Sequence, residues 1–165
     1  MVAASPRVLL IAHGFPPASG SGSVRALACA RYLPMHGWRP TVLTVDPTWA
    51  TNRDDGLLAE VPGSLGVVRT RSFEPRPAAR MPGGDSATLT PPQPSPLRRQ
   101  LGHLKRVPDA HLGWLPFAVA AGLRQHFDVI YSSSGPFTSH VVGWTIQRVT
   151  GRPWVAELRD GWYQW

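Results

Sequence analysis

The chain has 165 residues and a formal net charge of +7, from 17 Lys and Arg against 10 Asp and Glu, and it carries one cysteine. This length can bury a substantial single core, whereas a lone cysteine excludes an internal disulfide and a multi-cysteine zinc site. The positive charge favours anionic partners or a solvated basic surface. No apolar run reaches the roughly 20 residues of a spanning helix, and no secretory signal is visible. We therefore expect a cytoplasmic protein.

The first third of the chain predicts a strand, a helix and a second strand. RVLLIAH (7–13) is a continuous branched apolar run, which is typical of a strand buried on both faces of a parallel sheet. Helical spacing begins near Val24, and Gly37 supplies a stop. PTVLTVD (40–46) is a second buried strand, so we expect a right-handed βαβ unit.

The middle of the chain is less regular. GVVRTRSF (66–73) predicts a third strand. Residues 74–96 contain seven prolines and few large apolar side chains, a composition that predicts a disordered or mobile excursion. LRRQLGHLKR (97–106) has the pattern of a short basic amphipathic helix. Such a helix either covers its own domain or contacts anionic lipid as a peripheral element on the inner membrane face.

The last third repeats the opening alternation. The pattern predicts a helix over 111–126 whose regular part starts near Pro116, and then a strand over 127–133. It also predicts a loop and helix over 134–151 that stops at Gly151, and a strand over 153–158. Alternating strands and helices predict an α/β fold, a Rossmann-like open and mostly parallel sheet with helices on both faces, built as one domain over 1–165.

In such sheets ligands bind at the carboxyl ends of the strands. We therefore expect a site formed by loops 13–23, 132–137 and 158–163. The first of these lies within HGFPPASGSGSVRA (13–26), which leaves a buried strand and enters a helix. Backbone N–H groups in this position can face an anion.

A dinucleotide fingerprint is one candidate for that loop. Gly20, Gly22 and Arg25 occupy the three positions of a G-x-G-x-x-G pattern, and Asp46 closes the second strand where a ribose-binding acid would lie. The third position, however, is arginine, and Gly20 lies seven residues beyond His13. No G-K-[ST] follows, which excludes a Walker-type phosphate loop.

Longer segments resemble a known family. FPP with nearby glycines, PDxxxGW and ExRDxW occur in the order found in the N-terminal half of bacterial glycosyltransferases of family 4, and the similarity spans nearly the whole chain except 74–96. It is carried by the stretches GFPPASGSGSVRALACARYLPMHGWRPTVLTVD, DGLLAEVPGSLGVVRTRSFEP, PDAHLGWLPFAVAAG and FDVIYSSSGPFTSHVVGWTIQRVTGRPWVAELRDGW. The resemblance implies half of a GT-B architecture, in which two Rossmann-like domains face each other across a cleft. This half would be the acceptor-side domain.

The resemblance also implies roles for the glycine-rich loop. Gly20, Ser21 and Gly22 would place their N–H groups near the diphosphate of a nucleotide-sugar held mainly by a C-terminal domain. Arg25 either assists in binding this diphosphate or covers the helix surface. The family's glycine pair is split here by Ser21, which keeps its N–H.

Candidate catalytic residues are His111 and Asp160. The resemblance implies that His111 contacts the transferring sugar, and the alternative is a structural or surface histidine. Arg159 would hold acceptor hydroxyls, or Arg159 and Asp160 would only position the end of a strand. This chain has Gly161 where the family has proline in RDPW, and Glu157 where aspartate is common. We expect no metal site.

Ser133, Ser134 and Trp114 complete the predicted acceptor-binding group. Small hydroxyl residues after a strand suit contacts with sugar hydroxyls, although capping of the next helix also explains Ser134. Trp114 would stack on a sugar ring or belong to the core.

The function implied by the resemblance is nucleotide-sugar-dependent glycosyl transfer, retaining in that family and used in cell-envelope or exopolysaccharide synthesis. The partners would be a nucleotide-diphosphate sugar as donor substrate and a sugar or lipid-linked sugar as acceptor, with no covalently bound cofactor and no nucleic acid. Because the sequence stops at Trp165 without a donor-binding domain, we expect an inactive fragment unless that domain is supplied in cis or in trans. The alternative is a stand-alone dinucleotide or phosphate-binding module without transfer chemistry.

Overall fold

Five strands form one parallel sheet in the computed structural model, which describes residues 5–50, 52–74 and 109–159. They are β1 Arg7–Ile11, β2 Arg39–Val45, β3 Gly66–Thr70, β4 Val129–Ser133 and β5 Trp154–Glu157. Their order across the sheet is β3-β2-β1-β4-β5, with every neighbouring pair parallel. The predicted α/β, Rossmann-like open sheet is confirmed.

Helices cover both faces of this sheet. They are α1 Ser21–Tyr32, α2 Gly56–Ala59, α3 Leu115–Gly122 and α4 Thr138–Thr150, with short 3₁₀ turns at Leu33–His36, Pro47–Trp49 and Leu112–Trp114. None of these described helices has the length and apolar character needed to span a bilayer.

The sheet divides the core into two halves because successive strand side chains point to opposite faces. Leu10 packs with Leu27 of α1 on one face, whereas Leu9 packs with Ile146 of α4 on the other. Both strand residues are fully buried. The continuous apolar run of β1 therefore reflects burial on both faces, as predicted.

Element boundaries differ from the predicted ones at several places. α1 begins at Ser21 rather than near Val24. The regular helix within 111–126 begins at Leu115, next to the predicted start at Pro116, but it ends early, at Gly122. Glycine stops are confirmed, since Gly37 and Gly151 take left-handed φ angles of 79° and 69°. The predicted excursion beyond Glu74 and the predicted basic helix lie outside the described residues.

Candidate functional site

A cavity of about 350 Å³ opens at the carboxyl edge of the sheet, between β1 and β4. Chain connections turn in opposite directions from these two strands, and ligands bind at such a point in open α/β sheets. The cavity is lined by Ala12–Gly14, Ala18–Ser23, Val45, Pro47, Trp49, Ala50, Asn52, His111, Ser133–Pro136 and Arg159. The three predicted loops therefore meet here, over the part of them that the structure describes.

The N-terminus of α1 forms one wall of this cavity. Gly20 is the residue before the helix, and its φ of 113° is a conformation that favours glycine. No side chain among the described residues caps this end with a hydrogen bond. Val24 is the first residue whose N–H bonds within the helix, to Gly20 O at 3.1 Å. The N–H groups before Val24, including those of Ser21 and Gly22, therefore have no acceptor within α1. They lie at the cavity wall, and a helix N-terminus attracts anions.

Arg159 places a cation beside this helix end. Its backbone N–H donates to Ser134 Oγ at 2.9 Å and its Nε donates to Ser134 O at 2.6 Å. Its two terminal nitrogens lie 3.4 and 3.5 Å from the point that a Cβ on Gly22 would occupy. Ser134 thus orients Arg159 instead of capping α4. The helix end and the guanidinium together create a positive region suited to phosphate.

Asp109, which we did not predict as a functional residue, assembles the neighbouring wall. Its carboxylate accepts the Thr138 N–H at 2.7 Å, the Thr138 hydroxyl at 2.6 Å and the His111 N–H at 2.8 Å. These bonds cap α4 and fix the turn that carries His111. An aspartate two residues before a bonded N–H is a local turn pattern visible in sequence, but its contact with Thr138 spans 29 positions.

We expect Asp109→Ala to lower the free energy of unfolding by about 2–3 kcal/mol, because it leaves a helix N-terminus and a turn without their charged acceptor. Urea denaturation measures this loss. The matched control is Asp54→Ala, since Asp54 bonds the Gly56 N–H of the exposed four-residue helix α2. Equal losses in the two variants would show that Asp109 does not hold α4.

Two histidine rings lie together at the base of the cavity. The ring centroids of His13 and His111 are 4.3 Å apart, and those of His13 and Trp114 are 5.2 Å apart with the two rings nearly perpendicular. His13 Nε2 is buried and has no hydrogen-bond partner among the described residues. Burial and the neighbouring His111 lower the pKa of His13 to about 3, against an opposing effect of Asp109. His13 is therefore a neutral hydrogen-bonding group at pH 7.

This lowered pKa predicts a dependence of stability on pH. Between the folded pKa of about 3 and the unfolded value of 6.5, the unfolded chain binds the extra proton. The contribution of His13 is complete above 6.5 and declines as pH falls, by at most about 1.4 kcal/mol per pH unit. Urea denaturation near pH 7 and pH 5 should show a drop that His13→Gln reduces. The exposed His126, changed to Gln, is the control, and an equal reduction there would contradict the assignment.

Two other predicted residues, Trp114 and Arg25, do not line the cavity. Trp114 is completely buried, and its Nε1 donates to Thr70 Oγ1 at 2.7 Å. With no exposed ring face it is a core aromatic rather than a sugar-stacking surface. Arg25 pairs with Glu157 and lines a separate groove beside α1. Asp160 lies outside the described residues.

Glu157 keeps its negative charge in that pair. Burial alone would raise its pKa, but the neighbouring Ser133 and Tyr131 hydroxyls and the Arg25 guanidinium outweigh burial, so the pKa lies below its usual value. Arg25 is on α1 and Glu157 is at the end of β5. Their contact therefore joins the helix whose N-terminus lines the cavity to the strand that precedes Arg159.

Asp46, the proposed ribose ligand of the dinucleotide alternative, caps a local turn. Its Oδ1 accepts the Thr48 N–H at 2.9 Å and the Thr48 hydroxyl at 2.6 Å. Its neighbours Val45 and Pro47 line the cavity, whereas Asp46 itself does not.

No protein-family model and no curated protein matches this chain. Assignment of a function therefore depends on the fold and on the chemistry of this cavity.

Proposed function

We propose that the chain is the acceptor-side domain of a nucleotide-sugar-dependent glycosyltransferase. The observation that carries this proposal is the convergence of two groups on one cavity at the sheet's carboxyl edge: the α1 N-terminus, which no described side chain caps, and Arg159. Both groups favour phosphate. The order of the sequence motifs supports the same assignment.

Glycosyl transfer needs this kind of charge stabilisation. When the bond between the sugar carbon and the diphosphate oxygen breaks, negative charge grows on the leaving oxygen. The amides of Ser21 and Gly22 and the Arg159 guanidinium would stabilise that charge without reorganising, since the fold already holds them in place. A donor-binding domain, in cis or in trans, would supply the rest of the nucleotide-sugar site.

The histidine pair suits the neutral part of such a ligand. A neutral imidazole can donate one hydrogen bond and accept another, and hydroxyl groups of the transferring sugar or the acceptor can use both. His111 would contact these hydroxyls from the cavity wall, next to the buried Nε2 of His13. The family resemblance alone supports two further parts of the proposal, retention of configuration and a role in cell-envelope or exopolysaccharide synthesis.

Binding experiments separate this function from a dinucleotide-binding module. We would titrate the chain with a uridine diphosphate sugar, a guanosine diphosphate sugar and NAD by calorimetry. We expect binding of a nucleotide-sugar that persists in Asp46→Ala and weakens in Gly22→Val, because a side chain at position 22 points towards Arg159. Tight NAD binding that Asp46→Ala abolishes would overturn the proposal.

A further inference from the structure

The outward surface of α3 and α4 combines exposed apolar side chains with arginines. In α4, Val142 and Ile146 face the sheet, and a step of two residues turns about 200° around a helix. Trp144 consequently points away from the sheet, with 52% of its surface exposed. The Arg148 guanidinium, one turn later, lies 5.9 Å from the centre of the Trp144 ring.

The neighbouring helix α3 extends this surface. Its buried residues are Ala118 and Gly122, so its opposite side faces solvent. The exposed side chains there and in the following turn are Pro116, Ala120, Leu123 and Arg124. At the β3 side, the Phe73 ring packs 4.6 Å from the Phe117 ring, and the Arg71 guanidinium lies 4.7 Å from Phe117.

The part of the sequence that contains α3 and α4 has almost no acidic side chains. Between Asp109 and Glu157 the sequence contains a single acidic residue, Asp128, whose carboxylate accepts the Arg7 N–H. Glu74, beside Phe73, directs its carboxylate to Ser72 and to the Gly113 N–H. The arginines of the surface therefore carry positive charge without an ion pair to any other described residue.

We propose that this α3–α4 surface docks onto an anionic lipid bilayer. Tryptophan is favoured at the membrane interface, and arginines near an anionic leaflet gain attraction from lipid phosphates. Leu123 and Trp144 would enter the interface while Arg124 and Arg148 contact headgroups. The surface consists of the outward sides of two helices and exposed aliphatic groups, whereas single-stranded nucleic acid is held in charged grooves with stacking aromatics.

Vesicle flotation tests this proposal with the complete chain. We would compare phosphatidylcholine vesicles with vesicles containing phosphatidylglycerol. The wild type should bind the anionic vesicles, and the double variant Trp144→Ser, Arg148→Gln should reduce partitioning by about tenfold, since one arginine accounts for about fivefold. Leu123→Ser with Arg124→Gln should reduce it similarly.

The matched control is Tyr32→Ser with Arg39→Gln. It also removes one exposed aromatic, Tyr32 at the end of α1, which is 59% exposed, and one exposed arginine, Arg39 at the start of β2. Equal loss in this control, unchanged binding in both α3–α4 variants, or equal wild-type binding to uncharged vesicles would overturn the proposal. If the α3–α4 variants weakened binding of a single-stranded oligonucleotide but not of anionic vesicles, the proposal would be overturned in favour of a nucleic-acid surface.

Discussion

Arg159→Gln should lower the affinity of the chain for uridine diphosphate by about tenfold to a hundredfold. A hydrogen bond to a charged group contributes about 1.5–3 kcal/mol, and each 1.4 kcal/mol is about tenfold in affinity. Arg159 lines the cavity, and Ser134 fixes its backbone and its Nε through two hydrogen bonds. Its terminal nitrogens remain beside the α1 N-terminus, where a phosphate would accept from them. Calorimetry or ligand-observed NMR measures the change.

Arg25→Gln is the matched control because it removes the same charge from the adjacent helix. Arg25 pairs with Glu157 outside the cavity, so we expect this variant to retain most of the wild-type affinity. Equal losses in Arg25→Gln and Arg159→Gln would mean that the effect is one of overall charge. Loss in Arg25→Gln alone would assign the diphosphate contact to Arg25, the alternative that the sequence left open.

Trp114→Ala should have the largest effect on stability, a loss of about 3–5 kcal/mol in the free energy of unfolding. The side chain is completely buried in the core half that contains α3 and α4. Its removal would leave a cavity and would also deprive the Thr70 hydroxyl of the indole N–H at 2.7 Å. Chemical denaturation measures the loss.

Trp114→Phe separates the core role from ligand contact. This variant keeps an aromatic ring but loses the indole N–H, so we expect a smaller loss of stability than in Trp114→Ala. Its affinity for a nucleotide-sugar should equal that of the wild type under native conditions. A folded Trp114→Phe protein with normal affinity for uridine diphosphate but weakened affinity for the nucleotide-sugar would contradict burial of this residue and support sugar stacking.

Much of the fold could be predicted because its signals are local. The branched apolar runs of β1 and β2 require burial on both faces, and the polar loop before α1 marks a change from strand to helix. Parallel strands place their carboxyl ends at one edge, which predicts that the loops containing Gly20, Ser134 and Arg159 meet there.

The roles of several side chains could not be predicted because their partners are distant in sequence. The Trp114 indole meets Thr70, 44 positions away, and Arg25 meets Glu157, 132 positions away. Sequence pattern alone does not distinguish a core tryptophan from a stacking one. Ser134 has the residue type of a helix cap, but Arg159 takes its hydroxyl as an acceptor.

The most direct test of the central claim is a two-dimensional amide NMR titration of the chain with uridine diphosphate. If the α1 N-terminus holds the phosphates, the largest shifts will be those of the Ser21, Gly22 and Ser23 amides, and Arg159→Gln will weaken the response. Unchanged signals in these residues, with shifts centred instead on Asp46, would contradict an anion site at this helix end.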